Sequence, residues 1–318
     1  MIQRNHLPLI AVAALALFGC QNPARDPEPP LLNMVSVPGG VFQRNIVMSD
    51  NQTEVGAFHI SRCEVTQAQY VEVTGKLNPS WNVYPNVTAD DTDRPVDMVR
   101  WFDALVFCNS LSMREDRTPV YTILGSTDPA DWGAVPTSEA HSNYDAWRAV
   151  VADWDADGYR LPTEAEWMWA AMGATEGGGS WMDGIFMDGY RKRYAGDETP
   201  TYLPDNALDD YAWYEATSGL LGSGNPDYGT HEAGSKLPNE LDLCDMSGNV
   251  SEWCWDIYGD YPSGYLDNPT GASAGDYFVF RGGCWQSTDT YLMLANRTQQ
   301  QLAYSYFPNI GFRVVHKP

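Results

Sequence analysis

The stretch "RLPTEAEWMWAA", Arg160 to Ala171, decides how the rest of the chain is read. Thr163 followed three residues later by Glu166 is a capping box, in which each side chain accepts a hydrogen bond from the other residue's backbone N–H. The pattern predicts a helix opening at Glu164, with Trp167, Ala170 and Ala171 on an apolar face. Just upstream, Asp153, Asp155, Asp157, Gly158 and Glu164 fall at the spacing of an EF-hand calcium loop. The helix reading takes precedence. Arg160 would put a positive charge inside that loop, and Glu164 falls in the first helical turn, where the helix dipole favours an acid.

Outward from this helix the signals thin. Thr66 suits the N-cap of a second helix, with Tyr70 and Val71 on its inner face. A third runs near Trp101 to Ser112, where Ala104, Leu105 and Cys108 fall at helical spacing. Met34 to Asn45 alternates apolar and polar residues around Gly39-Gly40, which predicts a hairpin. Leu292, Met293, Leu294 and Ala295 read as a buried strand. Long irregular segments lie near residues 114–155 and 173–230. Few regular elements combined with 13% aromatic residues predict an α+β domain whose long loops are themselves packed.

The 318 residues carry 42 acids against 19 bases, a net charge of −23. Nucleic acid is excluded as a partner, because phosphate neutralisation needs clustered Lys and Arg. Arg4, the apolar run Leu7 to Phe18, small Gly19 and then Cys20 follow the order of a bacterial lipoprotein signal. We expect residues 1–19 to be a signal peptide and Cys20 to be lipidated. Residues 20–33 would be a Pro-rich spacer and 34–318 the domain. Apart from Cys20, the cysteines are Cys63, Cys108, Cys244, Cys254 and Cys284. Spacing does not pair them, and the odd number leaves at least one thiol unpaired. The histidines are scattered, with no zinc or iron ligand cluster.

In order along the chain, "MVSVPGGVF", "ISRCEVTQAQY", "RPVDMVRWFDALVFCNSLS", "DGYRLPTEAEWMWAA", "LCDMSGNVSEWCWD", "FRGGCW" and "NIGFRVV" resemble the formylglycine-generating enzyme (sulfatase-modifying factor) family. The resemblance spans Met34 to Val315. It implies the C-type lectin fold of the formylglycine-generating-enzyme type. Enzyme members hold copper on two cysteines that fall here at Ser287 and Leu292, neither of which can be a thiolate ligand. Cys284 stands where the family usually has Ser, and a lone thiol three residues early does not replace the pair. No enzyme activity is expected. The family's calcium set falls on Asp245, the carbonyls of Gly248 and Val250, and Glu252. Structural calcium at these oxygen donors stands beside a plain turn with Glu252 paired to an Arg. Ser251 departs from the family's Trp. No cofactor is required.

A narrower resemblance, carried by "GGCW", "ANR" and "NIGFRVV", is to the variable proteins of diversity-generating retroelements, the Treponema variable protein among them. It implies a C-terminal variable cassette at about 281–315. The ligand-binding positions expected there are Gln286, Ser287, Thr288, Asp289, Tyr291, Asn296, Thr298, Gln301, Tyr304, Ser305, Tyr306 and Phe307. Tyr, Ser and Asn are also what antibody loops use, Tyr for large contact area at low entropy cost. The expected protein is a monomeric, non-catalytic lipoprotein. It would be displayed on the cell envelope, on the outer membrane, and touch the membrane through its lipid anchor only. Its ligand would be an unknown protein or glycan on another cell or host. The alternatives are a scaffold lipoprotein of an envelope machine and, remotely, a formylglycine-generating oxidase.

Overall fold

The computed structural model describes residues 30–44, 52–80, 91–174, 180–182, 185–187, 193–196, 207–225, 227–297 and 300–318. The expected signal peptide, Cys20, most of the spacer and Thr298 lie outside the described residues. Leu31 to Pro318 form one compact unit.

The first strands are β1 (Met34–Val37), β2 (Gly40–Gln43), β3 (Gln52–Val55) and β4 (Phe58–Ser61). The expected hairpin is not there. β1 pairs antiparallel with β4, and β2 with β3, so Gly39-Gly40 carries the chain from one sheet into another. These glycines serve close approach instead of a hairpin turn. A Cβ on Gly40 would lie 2.3 Å from the Trp169 ring, and one on Gly39 would lie 2.9 Å from the Val55 carbonyl.

Helix α1 (Gln67–Thr74) starts at Thr66 with a full capping box through Gln69. Tyr70 is buried as expected, but Val71 is 38% exposed and faces outward. Gln67 takes the inner place beside Tyr70, because residues three apart share a helix face. Helix α2 (Trp101–Arg114) is nearly all buried. The short pair β5 (Tyr121–Thr122) and β6 (Val151–Ala152) flanks α3 (Tyr144–Arg148). Helix α4 (Glu164–Ala171) has the expected box, Thr163 with Glu166, and every one of its residues is buried. Strands β7 (Ser180–Met182) and β8 (Ile185–Met187) pair with each other, and α5 (Leu208–Tyr211) follows.

The C-terminal half supplies β9 (Ser251–Ile257), β10 (Leu266–Asp267), β11 (Tyr277–Arg281), α6 (Asp289–Leu292), β12 (Gln300–Leu302), β13 (Ile310–Gly311) and β14 (Val315–His316). The largest sheet runs β12-β11-β9-β13, while β14 closes the sheet β1-β4-β14 and β10 extends β3 and β2. One core surrounds α2 with Trp101, Phe107, Trp253 and Phe312. A second surrounds α4 with Trp167, Trp169, Leu294 and Val315.

In Leu292 to Ala295, Leu292 and Leu294 are buried while Met293 and Ala295 are only partly so, and the run is not a strand. Leu292 ends α6, and the Leu294 N–H donates to the carbonyl of Arg193, in a loop. A four-residue apolar run cannot distinguish a strand from a packed turn. Among the described residues no helix is long and apolar enough to cross a membrane. Leu294 is 1% exposed. Leu294→Ala should therefore cost roughly 2–5 kcal/mol by urea denaturation, while Val71→Ala should stay within about 0.5 kcal/mol.

Candidate functional site

The cassette is fixed at both ends by a buried arginine. At the C-terminal end, Arg313 donates from Nε to Glu252 Oε2 and from Nη2 to Glu252 Oε1, both at 2.6 Å. Its remaining N–H groups donate to the carbonyls of Ser61, Arg62 and Cys244. Trp167 Nε1 donates to the same carboxylate at 2.7 Å. At the N-terminal end, Arg281 donates to Glu164 Oε1 from Nε at 2.9 Å and Nη2 at 2.6 Å, and reaches the carbonyls of Leu294 and Asn296. Arg297 closes on Glu164 from the other side. Burial alone would raise the Glu164 pKa, but Arg281 and Arg297 prevail and lower it to about 2. Beside it, Asp256 is pushed up to about 7 by burial and by the Glu164 charge, although it accepts from the Glu164 N–H.

Gly283 explains the tight return between these clamps. Its φ is +70°, and a Cβ there would meet Leu292 Cδ1 at 2.8 Å. Between the clamps the cassette backbone bonds to fixed parts of the domain. The N–H groups of Met98, Glu215 and Ser251 donate to the carbonyls of Phe307, Ser287 and Asn309, and the Trp285 N–H donates to the Asn249 carbonyl.

Held in this way, part of the cassette walls an open cavity of about 420 Å³. Of the residues singled out from the sequence, Gln286, Ser287, Thr288, Tyr291, Gln301 and Phe307 line it. Ser287 also has an architectural task, since its Oγ accepts from the Cys284 N–H at 3.0 Å. Asp289 caps no wall; its carboxylate faces Tyr194 and Arg193. Asn296 is turned to the Thr290 carbonyl. The Tyr304 ring packs against Tyr144 at 5.9 Å, and Ser305 donates its N–H to Leu302. Tyr306 lies over Arg100 and lines a different cavity. The sequence reading missed Ser251, Phe280, Cys284, Asn309 and Ile310, which form the rest of the wall. Only Ser251, small where the family pattern has Trp, and Cys284, a thiol in place of Ser, gave any signal.

This geometry agrees with what the chain is similar to. The sulfatase-modifying factor enzyme 1-like domain matches residues 20–318. The chain belongs to that family. It is 30% identical to Treponema denticola variable protein 1, whose solved structure superposes with a TM-score of 0.71 over 90% of this chain and 95% of that one. It is 32% identical to the chaperone protein LppX of Paenibacillus barcinonensis over 90% of this chain and 89% of that protein. The formylglycine-generating enzyme of Streptomyces coelicolor is 26% identical over 96% of each. The fold is thus the C-type lectin fold of the formylglycine-generating-enzyme type, mixed helix and sheet with little of either.

At the places where enzyme members of the family carry copper-holding cysteines, this member has a hydroxyl in the cavity wall and a leucine in the core. Leu292 is fully buried among Tyr194, Leu208 and Tyr214. The lone cavity thiol, Cys284, faces Ser287 Oγ and accepts from Asn309 Nδ2. In the expected calcium set of Asp245, Gly248, Val250 and Glu252, both oxygens of Glu252 accept from the guanidinium of Arg313, the pairing that stands as the alternative to calcium, while Asp245 Oδ1 is buried with no hydrogen-bond partner. Asp245 is buried, accepts from the Gly234 N–H at 2.6 Å, and is raised to about 6 by burial. In the EF-hand-like stretch, Glu164 serves Arg281 instead of closing a loop.

Asp256 holds its proton more firmly folded than unfolded. Its contribution to stability is fully present below about pH 4 and is lost as the pH rises through the folded value near 7. Asp256→Asn cannot ionise. Its urea midpoint should therefore gain on the wild type between about pH 5 and about pH 8, and a constant difference would contradict the assignment.

Proposed function

We propose that this protein is a non-catalytic, surface-displayed binding protein whose C-terminal cassette forms a ligand site that varies among sibling genes. The observation that carries the reading is the cavity. Its cassette residues meet on one wall, while their backbone is secured by bonds that do not depend on side-chain identity. Similarity to the Treponema variable protein, and to a relative described as a chaperone, supports binding over catalysis.

The chemistry of the wall supports one kind of ligand over others. Among the described residues no lining side chain is charged, although the chain carries a net −23. Amides and hydroxyls from Gln286, Thr288, Gln301 and Asn309 alternate with Phe280, Tyr291, Phe307 and Ile310. Such a surface suits a neutral protein segment or glycan with both hydrogen-bonding and apolar parts. Tyr291 is 47% exposed and Phe307 39%, a cost in water that a bound partner would relieve.

A library randomised at Gln286, Thr288, Tyr291, Gln301 and Phe307 should fold in most members, as surface substitutions usually change stability by no more than about 0.5 kcal/mol. Against a ligand selected from glycan and peptide arrays, Tyr291→Ala or Phe307→Ala should lose about tenfold or more in affinity. A library that mostly unfolds would show that these residues are structural. The scaffold alternative is separated by the neighbouring DNA. A near-copy of the cassette, differing at adenines and lying beside a reverse-transcriptase gene, favours diversification.

With Ser287 and Leu292 in place of the cysteines, incubation with copper, oxygen and a Cys-containing sulfatase peptide should yield no aldehyde above control. For display we propose a lipid anchor on Cys20, on the order of charge, apolar run, Gly19 and Cys20 in the sequence. Metabolic labelling with a fatty acid should mark the wild type and miss Cys20→Ser. Equal labelling would remove the anchor.

A further inference from the structure

Outside the cassette, the structure places two thiols against each other. Cys63 follows β4, and Cys244 lies in the loop that leads to β9. The Cys244 N–H donates to the Arg62 carbonyl at 2.9 Å, which lays the two backbones side by side. Their sulfurs lie 3.0 Å and 3.7 Å from the point that a Cβ on Gly234 would occupy. Gly234, at φ +79°, is the residue that leaves room for both. The neighbouring Cys244 sulfur and burial push the Cys63 thiol up, while the Cys63 sulfur lowers Cys244. The remaining described cysteines, Cys108, Cys254 and Cys284, are each buried apart from them.

We propose that Cys63 and Cys244 form a disulfide when the chain meets an oxidising compartment. The oxidant is a small or protein disulfide. The chemistry is thiol–disulfide exchange in two steps. Cys63 is half-exposed and lines a cavity of about 160 Å³ with Asn33, Ser61 and Thr66, so it is the sulfur an oxidant can reach. It attacks the oxidant disulfide, forms a mixed disulfide and releases one thiol. Cys244 is fully buried, so it is the sulfur that resolves the mixed disulfide from within. As a thiolate it attacks the Cys63 sulfur, expels the second oxidant thiol and closes the S–S bond. Two protein thiols are oxidised, one disulfide is reduced, and the two thiol protons end on the released thiols.

The position gives the bond a purpose. The carbonyls of Arg62 and Cys244 both accept from Arg313, so the bridge would join the two walls of the cradle that holds the C-terminal clamp. It would also close a very long loop, which limits the unfolded chain.

The test uses the full chain. Protein purified under reducing conditions is freed of reductant, exposed to oxidised glutathione, quenched in acid, denatured and treated with N-ethylmaleimide. It is then digested without reduction for mass spectrometry. The expected result is a peptide pair joined through Cys63 and Cys244, with maleimide on Cys108 and Cys254. The same pair is expected in chain trapped with N-ethylmaleimide in intact cells. The oxidised form should also melt at a higher temperature than the reduced form, and that gap should vanish in Cys63→Ala. Maleimide on both Cys63 and Cys244 after oxidation would overturn the proposal. So would glutathione retained on Cys63, or either residue joined to another cysteine.

Discussion

The ion pair of Arg313 and Glu252 is the constraint on which the rest of the structure depends. Both groups are fully buried, and each would be costly alone. They are tolerable because the fork of the guanidinium meets both carboxylate oxygens and every remaining N–H group finds a carbonyl. Those carbonyls belong to the end of β4 and to the loop before β9, and Trp167 of α4 shares the carboxylate. One charge pair thus fixes the relative places of three otherwise separate parts. Removing one partner of such a pair commonly costs about 3–5 kcal/mol, because the other is left buried and uncompensated. Arg281 repeats the device on Glu164, with Arg297 as a second cation.

The division of labour that follows is electrostatic as much as architectural. The buried charges of this region are held in the clamps, and Asp289 is turned to Arg193. The cavity between the clamps is left to neutral groups. A site whose wall carries no fixed charge has no strong preference among partners before its side chains are chosen. Acidic residues elsewhere on the chain set its solubility and its repulsion from anionic surfaces. The ligand is therefore selected by shape and hydrogen bonding at close range instead of by long-range attraction.

How much of this was legible in the sequence depends on whether the cause was local. The N-cap at Thr66 and the capping box of Thr163 with Glu166 were readable because a cap and its partner lie within three residues. The flanking motifs Arg281-Gly282-Gly283 and Ile310-Gly311-Phe312-Arg313 were readable, and so were Gln286, Ser287, Thr288 and Tyr291, which line the cavity. Gly39-Gly40 was misread because the Trp169 ring that demands small residues there is far away in sequence. Leu292 to Ala295 was misread because four apolar residues in a row do not tell a strand from a packed turn. Tyr304 and Tyr306 were named by composition, which could not show that they lie outside the cavity of the other cassette residues, beside Tyr144 and Arg100. Asn309 and Ile310 were missed because they looked like part of a fixed bracket, and only the parallel pairing of β13 with β9 turns them toward the cavity.

The backbone bonds from the cassette to Met98, Glu215 and Ser251 have one more consequence. Main-chain donors and acceptors are the same whatever codon is written. Sibling proteins built on this plan would therefore explore chemistry without exploring shape. Each new version would present its altered side chains from the same depth and at the same angle. A partner lost by one rewriting could be regained by another without the domain having to learn to fold again.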